Sequence, residues 1–176
     1  IIFFLSLISF YKICQIRFEK WYISIIGVFI IFLSPRIFAN SFYDPKDIPF
    51  LSILIFSIHF GLILFKKMNF KNLIYYSLFN AFVISGIRVY GIISPVLILS
   101  SIILYSFITK ENFKKNLLFV IYCLILTFVF SIIIKPSLWE SPIANFIGSF
   151  TYLKEFGKIW SIPNLFLGEI ILSKDT

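Results

Sequence analysis

The chain has 176 residues, of which 60% are hydrophobic, 20% aromatic and only 14% charged, with 24 Phe among them. A soluble domain carries about 25% charged residues, so this chain lacks the polar surface to cover its own core, and its wealth of aromatics excludes a disordered one. Two cysteines exclude a disulfide framework, and the net charge of +8 must be located along the chain before it argues for a nucleic-acid partner.

A bilayer core about 30 Å thick calls for roughly 17–25 apolar residues in helix, and polar punctuation divides the chain into six apolar runs. The first, 1–11, ends at a stretch holding Lys12, Arg17, Glu19 and Lys20. The second, 21–34, opens on Trp21 and Tyr22, rings suited to the membrane boundary, and stops at Pro35. A loop over 35–47 leads to the third run, 48–65, which ends in Lys66 and Lys67. The fourth, 73–87, is closed by Arg88, and the fifth, 89–108, by a polar stretch over 109–115. The sixth spans 117–134.

Residues 135–176 differ in composition, with Pro136, Trp139, Pro142, Trp160 and Pro163. Within them an amphipathic helix is predicted near 142–156. Ser141 can cap it, Pro142 suits its first position and Gly157 its end, while Ile143, Phe146, Ile147, Phe150 and Leu153 recur at helical spacing. The expected architecture is therefore all-α and polytopic, with about six membrane helices and one helix lying in the interface. Because the chain opens directly on Ile1-Ile2-Phe3-Phe4-Leu5, it is read as an internal piece of a longer membrane protein.

Charge sorts by loop. Segments 12–20, 66–72 and 109–115 hold nine Lys/Arg and two acids, whereas 35–47, Arg88 and 135–176 hold seven Lys/Arg and six acids. Basic excess marks the cytoplasmic side, so the first set is assigned there and the second to the extracytoplasmic side of a cell membrane. The +8 becomes a topology signal, and no nucleic-acid partner is needed to explain it.

The extracytoplasmic set collects the residues able to do chemistry: Arg36, Asp44, Asp47, Arg88, Trp139, Glu140, Glu155 and Glu169. No GxGxxG, GxxxxGK or GxSxG pattern appears, and no Cys/His cluster suggests a metal. His59, near the middle of the third run, is expected as a neutral imidazole bonded between helices. Asn80 is expected as interhelical glue, and Gly27, Gly61 and Gly86 as points of close approach. Cys14 and Cys123 fall in different apolar segments and are expected as reduced core residues.

Three segments carry a resemblance that composition does not supply. Ser34-Pro35-Arg36-Ile37-Phe38-Ala39-Asn40-Ser41-Phe42-Tyr43-Asp44-Pro45-Lys46-Asp47-Ile48-Pro49-Phe50, then Ile87-Arg88-Val89-Tyr90-Gly91, then Lys135-Pro136-Ser137-Leu138-Trp139-Glu140-Ser141-Pro142-Ile143 follow one another. They resemble successive landmarks of bacterial membrane glycosyltransferases related to protein O-mannosyltransferases and aminoarabinose transferases. Phe166-Leu167-Gly168-Glu169 also fits. The resemblance implies a GT-C-like fold and a polyprenyl-phosphate-linked sugar donor. It also implies an extracytoplasmic active site, inversion at the sugar carbon, and a lipid, glycan or protein acceptor. It places the general base upstream of residue 1, so that this piece alone is expected to be inactive.

On that reading a departing phosphate needs cations held against its developing charge, and the planar, bidentate guanidinium suits it, which makes Arg36 and Arg88 donor-binding candidates. Asp47 is the candidate catalytic carboxylate within this chain, with Asp44, Trp139 and Glu140 as substrate contacts. A divalent metal is a further possibility without a ligand cluster to support it. The bland counterparts are Arg snorkelling to lipid phosphate, acids capping a helix, and an interfacial Trp. A fragment of a polytopic transporter, or of a non-catalytic membrane assembly protein, is the alternative function.

Overall fold

The computed structural model describes residues 1–87, 89–110, 113–159, 163–166 and 169–172, and the side chains of 1–86, 90–110 and 113–152. It divides into two units, Ile1–Pro136 and Ser137–Thr176.

In the first unit, α1 (Ile2–Phe18) and α2 (Trp21–Phe32) form a hairpin joined by Glu19 and Lys20, with Glu19 in the left-handed region at φ 59°. Next come α3 (Pro35–Tyr43), α4 (Asp47–Lys66) and α5 (Phe70–Ala81). A π-helical turn, Phe82–Ile87, continues α5, and a 3-10 turn, Val89–Ile92, leads into α6 (Ile93–Thr109). The last is α7 (Phe113–Ile134). Every apolar run is helical. Three helical segments are long and apolar enough to cross a membrane: Asp47–Lys66, Tyr90–Thr109 and Phe113–Ile134. A fourth qualifies if α2 and α3 are counted as one span bent by 62°.

Two boundaries differ from expectation for identifiable reasons. The first helix continues past residue 11 to Phe18, taking Lys12 and Arg17 into the helix; their aliphatic stems let such residues extend a span while the charge reaches polar surroundings. The segment 35–47 is largely the helix α3 instead of a loop. Pro35 cannot donate to the α2 ladder and so ends that helix, but its fixed φ suits the first position of a new one. At 12 residues α2 is about 18 Å long and falls short of the bilayer core on its own.

The helix α4 is central because it buries two stripes. Ile48, Ser52, Ile55 and His59 form one, and Ser57, Gly61 and Leu64 the other. On one side Ile48 joins Phe3 and Leu7 of α1, with Val28, Ile31, Phe32 and Ile37 packed around them. On the other, Leu64 joins Leu73 and Tyr76 of α5, Leu99 and Ile102 of α6, and Val120 and Cys123 of α7. Side-chain contacts fix directions: Phe60 stacks on Tyr75 and Phe79, so α4 and α5 are antiparallel. A Cβ at Gly61 would come within 3.0 Å of Ile98 and of Tyr76, which marks the point where α4, α5 and α6 pack closest.

These directions bring Arg17, Lys20, Lys66, Lys67, Lys71, Lys114 and Lys115 to one end of the unit, called the Lys66 end below. Its opposite, the Asp47 end, holds α3, the head of α4 and the turns between α5 and α6.

The second unit contains α8 (Pro142–Ile159), which begins where expected but runs through Gly157. Asn145 Nδ2 donates to the carbonyl of Ser137 at 2.7 Å, tying the first turn of α8 to the chain before it. Ile143 and Ile147 are exposed, while Phe146 and Phe150 are half-buried and meet edge to face. Leu153, Trp160, Glu155 and the Gly157 side of the helix lie outside the described side chains. Beyond α8 a short antiparallel hairpin pairs Pro163–Phe166 with Glu169–Leu172, a strand addition to an otherwise helical chain. Proline at the first position and the β-branched Ile170 and Ile171 suit it.

Candidate functional site

Three of the sequence-derived candidates gather around the head of α4. Asp44, half-buried, closes α3 and turns the chain: its Oδ1 accepts the backbone N–H of both Lys46 and Asp47 at 2.8 Å. That oxygen does the work of a helix cap one step removed, since Lys46, the residue at the cap position, has no side chain able to accept such a bond. Asp47 is the first residue of α4 and is exposed, where the helix dipole favours a carboxylate.

Arg36 lies in the first turn of α3, exposed, and has no ion-pair partner among the described residues. A cation there opposes the helix dipole, so the position does not stabilise α3. The helix itself buries no residue. It is held by Ile37 against the α1–α4 cluster and by an aromatic ladder in which Phe32, Phe38 and Phe42 meet edge to face at 5.2 Å per step. Seven residues after Arg36 on the same helix, Tyr43 is 71% exposed.

Arg88 lies outside the described residues. The elements on either side of it are well defined: a Cβ at Gly91 would fall on Val83, 2.8 Å from its carbonyl carbon, so the 3-10 turn presses directly on the backbone of the π turn. Only glycine permits that approach. Trp139 and Glu140 belong to the second unit, where both are exposed in the bend before α8. Among the described residues no three His, Cys, Asp or Glu side chains come together as metal ligands.

Below the Asp47 end, the interior of the bundle contains polar groups that the sequence reading only partly foresaw. Ser57 Oγ of α4 donates to Asn80 Oδ1 of α5 at 2.8 Å and is 2.6 Å from Ser94 Oγ of α6. Since the single hydroxyl proton of Ser57 is directed at Asn80, Ser94 is the donor in the second bond. Asn80 thus bridges helices as expected. Ser57 and Ser94 were not singled out, because serines abound in these spans and most of them bond to their own helix, as Ser52 does to Ile48 and Ser106 to Ile102. His59 departs from expectation: its buried Nδ1 has no hydrogen-bond partner, and the ring lies 5.4 Å from that of Phe60. Cys14 and Cys123 are buried free thiols in separate helices, the latter against Ser77 at 3.3 Å.

Between α4 and α6, on the lipid-facing side of the Ser57–Ser94 bond, is an apolar cleft of about 430 Å³. Phe50, Leu54 and Ile58 form one wall, and Tyr90, Ile93 and Leu97 the other. No family model matches the chain, and neither the curated proteins nor the solved structures contain a match to it.

Proposed function

We propose that the chain forms part of an integral membrane glycosyltransferase that moves a sugar from a polyprenyl-phosphate carrier to an extracytoplasmic lipid, glycan or protein acceptor. On this reading the helices of the first unit make six passes, α2 and α3 together making one. The Lys66 end is cytoplasmic, as its basic excess favours, and the Asp47 end faces outward. The observation that carries the reading is Arg36: an exposed guanidinium, unpaired by any described residue, in a place where a helix disfavours it, on the same short stretch as Asp44 and Asp47. A charge retained where it does not aid the fold is suited to a phosphate. The sequence resemblance supplies the sugar.

In this mechanism Arg36 and Arg88 neutralise the phosphate as it leaves, Asp44 orders the turn that presents Asp47, and Asp47 orients a hydroxyl or pairs with a guanidinium. Trp139 and Glu140 contact the sugar or the acceptor.

The interrupted passage from α5 to α6 and the buried Ser57–Asn80–Ser94 group favour a second reading, a transporter, whose sites are built at broken helices within the membrane. Sugar transfer in membranes containing the complete protein separates the two. Arg36→Ala, Arg88→Ala and Asp47→Ala are each expected to lower transfer at least tenfold with insertion intact, the loss of one charge-assisted bond being worth about 1.5–3 kcal/mol. Unchanged transfer in all three would sink the enzyme reading. Substrate flux abolished by Asn80→Leu, with no transfer in the parent, would install the transporter.

A further inference from the structure

The cleft between α4 and α6 has a definite shape. The two helices run parallel, with Ser57 level with Ser94 and, one turn nearer the Lys66 end, Gly61 level with Ile98. At Gly61 they are as close as packing permits, with Ile98 atoms 3.0 and 3.1 Å from where a Cβ would stand. Toward the Asp47 end they part, and the cleft opens between Phe50 and Tyr90. The only direct polar link across this diverging pair is the 2.6 Å bond between the hydroxyls of Ser57 and Ser94, and Asn80 anchors it from α5. All three side chains are almost fully buried, Ser57 and Asn80 at 0% and Ser94 at 3% exposure.

Apolar packing between membrane helices is weakly directional, because lipid chains compete for the same surfaces, whereas a hydroxyl bond fixes both distance and rotation. We propose that Ser57, Asn80 and Ser94 act as a pin that sets how far the heads of α4 and α6 stand apart. They are positioning residues, not catalytic ones. Asp47 is carried two to three turns above Ser57 on the same rigid helix, so any change of angle at the pin is amplified at the outward end. The backbone of the α5–α6 reversal is locked separately by Gly91 on Val83, which leaves the angle between α4 and α6 as the adjustable quantity. The consequence for sugar transfer rests on the functional reading above; the spacing itself does not.

The test uses the complete protein in lipid nanodiscs, with Cys14→Ala and Cys123→Ser to silence the native thiols. Phe50→Cys and Tyr90→Cys then report the width of the cleft through bifunctional thiol reagents of short and long span. Ser94→Ala removes the link to α6 while leaving the Ser57–Asn80 bond in place. It is expected to lower the yield of the short cross-link about threefold relative to the long one, the shift that one interhelical hydrogen bond in a membrane supports. Ser94→Thr, which keeps the hydroxyl, is expected to restore it. In the same proteins without the reporter cysteines, KM for the lipid-linked donor should rise about threefold in Ser94→Ala with kcat changed less, and return in Ser94→Thr. An unchanged ratio of short to long cross-links in Ser94→Ala overturns the pin. A changed ratio with unaltered transfer keeps the pin and removes the substrate site from this end of the molecule. If the parent protein transfers no sugar at all, the cross-linking arm still decides the pin.

Discussion

The two halves of the helical unit are held together by different physics. Among α4, α5, α6 and α7, helices are joined by directional bonds: Ser57 to Asn80 and Ser94, and Ser77 to the carbonyl of Cys123 at 3.2 Å. Among α1, α2 and α3 the described hydroxyls turn inward to their own helices, Ser6 to Phe3, Ser24 to Lys20 and Ser41 to Phe38. What joins those helices is an apolar cluster and a chain of aromatic edges, Phe3 and Phe4 through Phe32 to Phe38 and Phe42. Directional bonds specify one register. Aromatic edges tolerate several, so the half that carries Arg36 and Tyr43 is the half better able to shift.

The strongest attack on this contrast is at the rigid half. Gly91→Ala forces a methyl group into the backbone of Val83, and a loss of about 3 kcal/mol, at the upper end of overpacking costs, is expected. Size-exclusion profiles of extracted protein should show much of it aggregated, and a monodisperse product of parental thermal stability would refute the tight reversal. Next in size is Asn80→Leu, which strands the Ser57 hydroxyl and should cost about 1–2 kcal/mol in thermal unfolding. His59→Leu is its foil. The buried Nδ1 has no bond to lose, so the change is expected to be neutral or slightly stabilising, and a loss matching that of Asn80→Leu would show that the histidine has a partner after all. The smallest effect is predicted at the adaptable half, where Phe38→Leu keeps the apolar volume but breaks two edge contacts, for about 0.5–1.5 kcal/mol. Equal destabilisation by Phe38→Leu and Gly91→Ala would erase the distinction between the halves.

Much of the architecture is legible in the chain because hydropathy reports solvent, and solvent here is mostly lipid. All six apolar runs are helices, α4 lies within one residue of its expected bounds at each end, and α8 starts at Pro142. What hydropathy cannot report is direction. Pro35 was read as a stop, and it is one for α2, but the same residue starts α3, and only geometry gives the 62° between them. The site candidates were legible by charge: few charged residues occur in such a chain, and Arg36, Asp44 and Asp47 stand out. Their division of labour was not, since nothing in the sequence distinguishes Asp44, which bonds two backbone N–H groups, from Asp47, which starts a helix. Ser57 and Ser94 were illegible for the opposite reason: they look like every other serine in a span, and their meaning lies in a pairing 37 residues apart in sequence.

The π turn at Phe82–Ile87 has a consequence for how this protein tolerates change in length. Its ladder bonds each N–H to the carbonyl five residues back, and so it accommodates a residue that an α-helix would not. Deleting one residue there would let the ordinary ladder return, at no local cost, while turning everything that follows by about 100° about the helix axis. Ser94 would swing away from Ser57, and the lining of the cleft would exchange one set of side chains for another. For this stretch of chain, the number of residues is under tighter constraint than their identity.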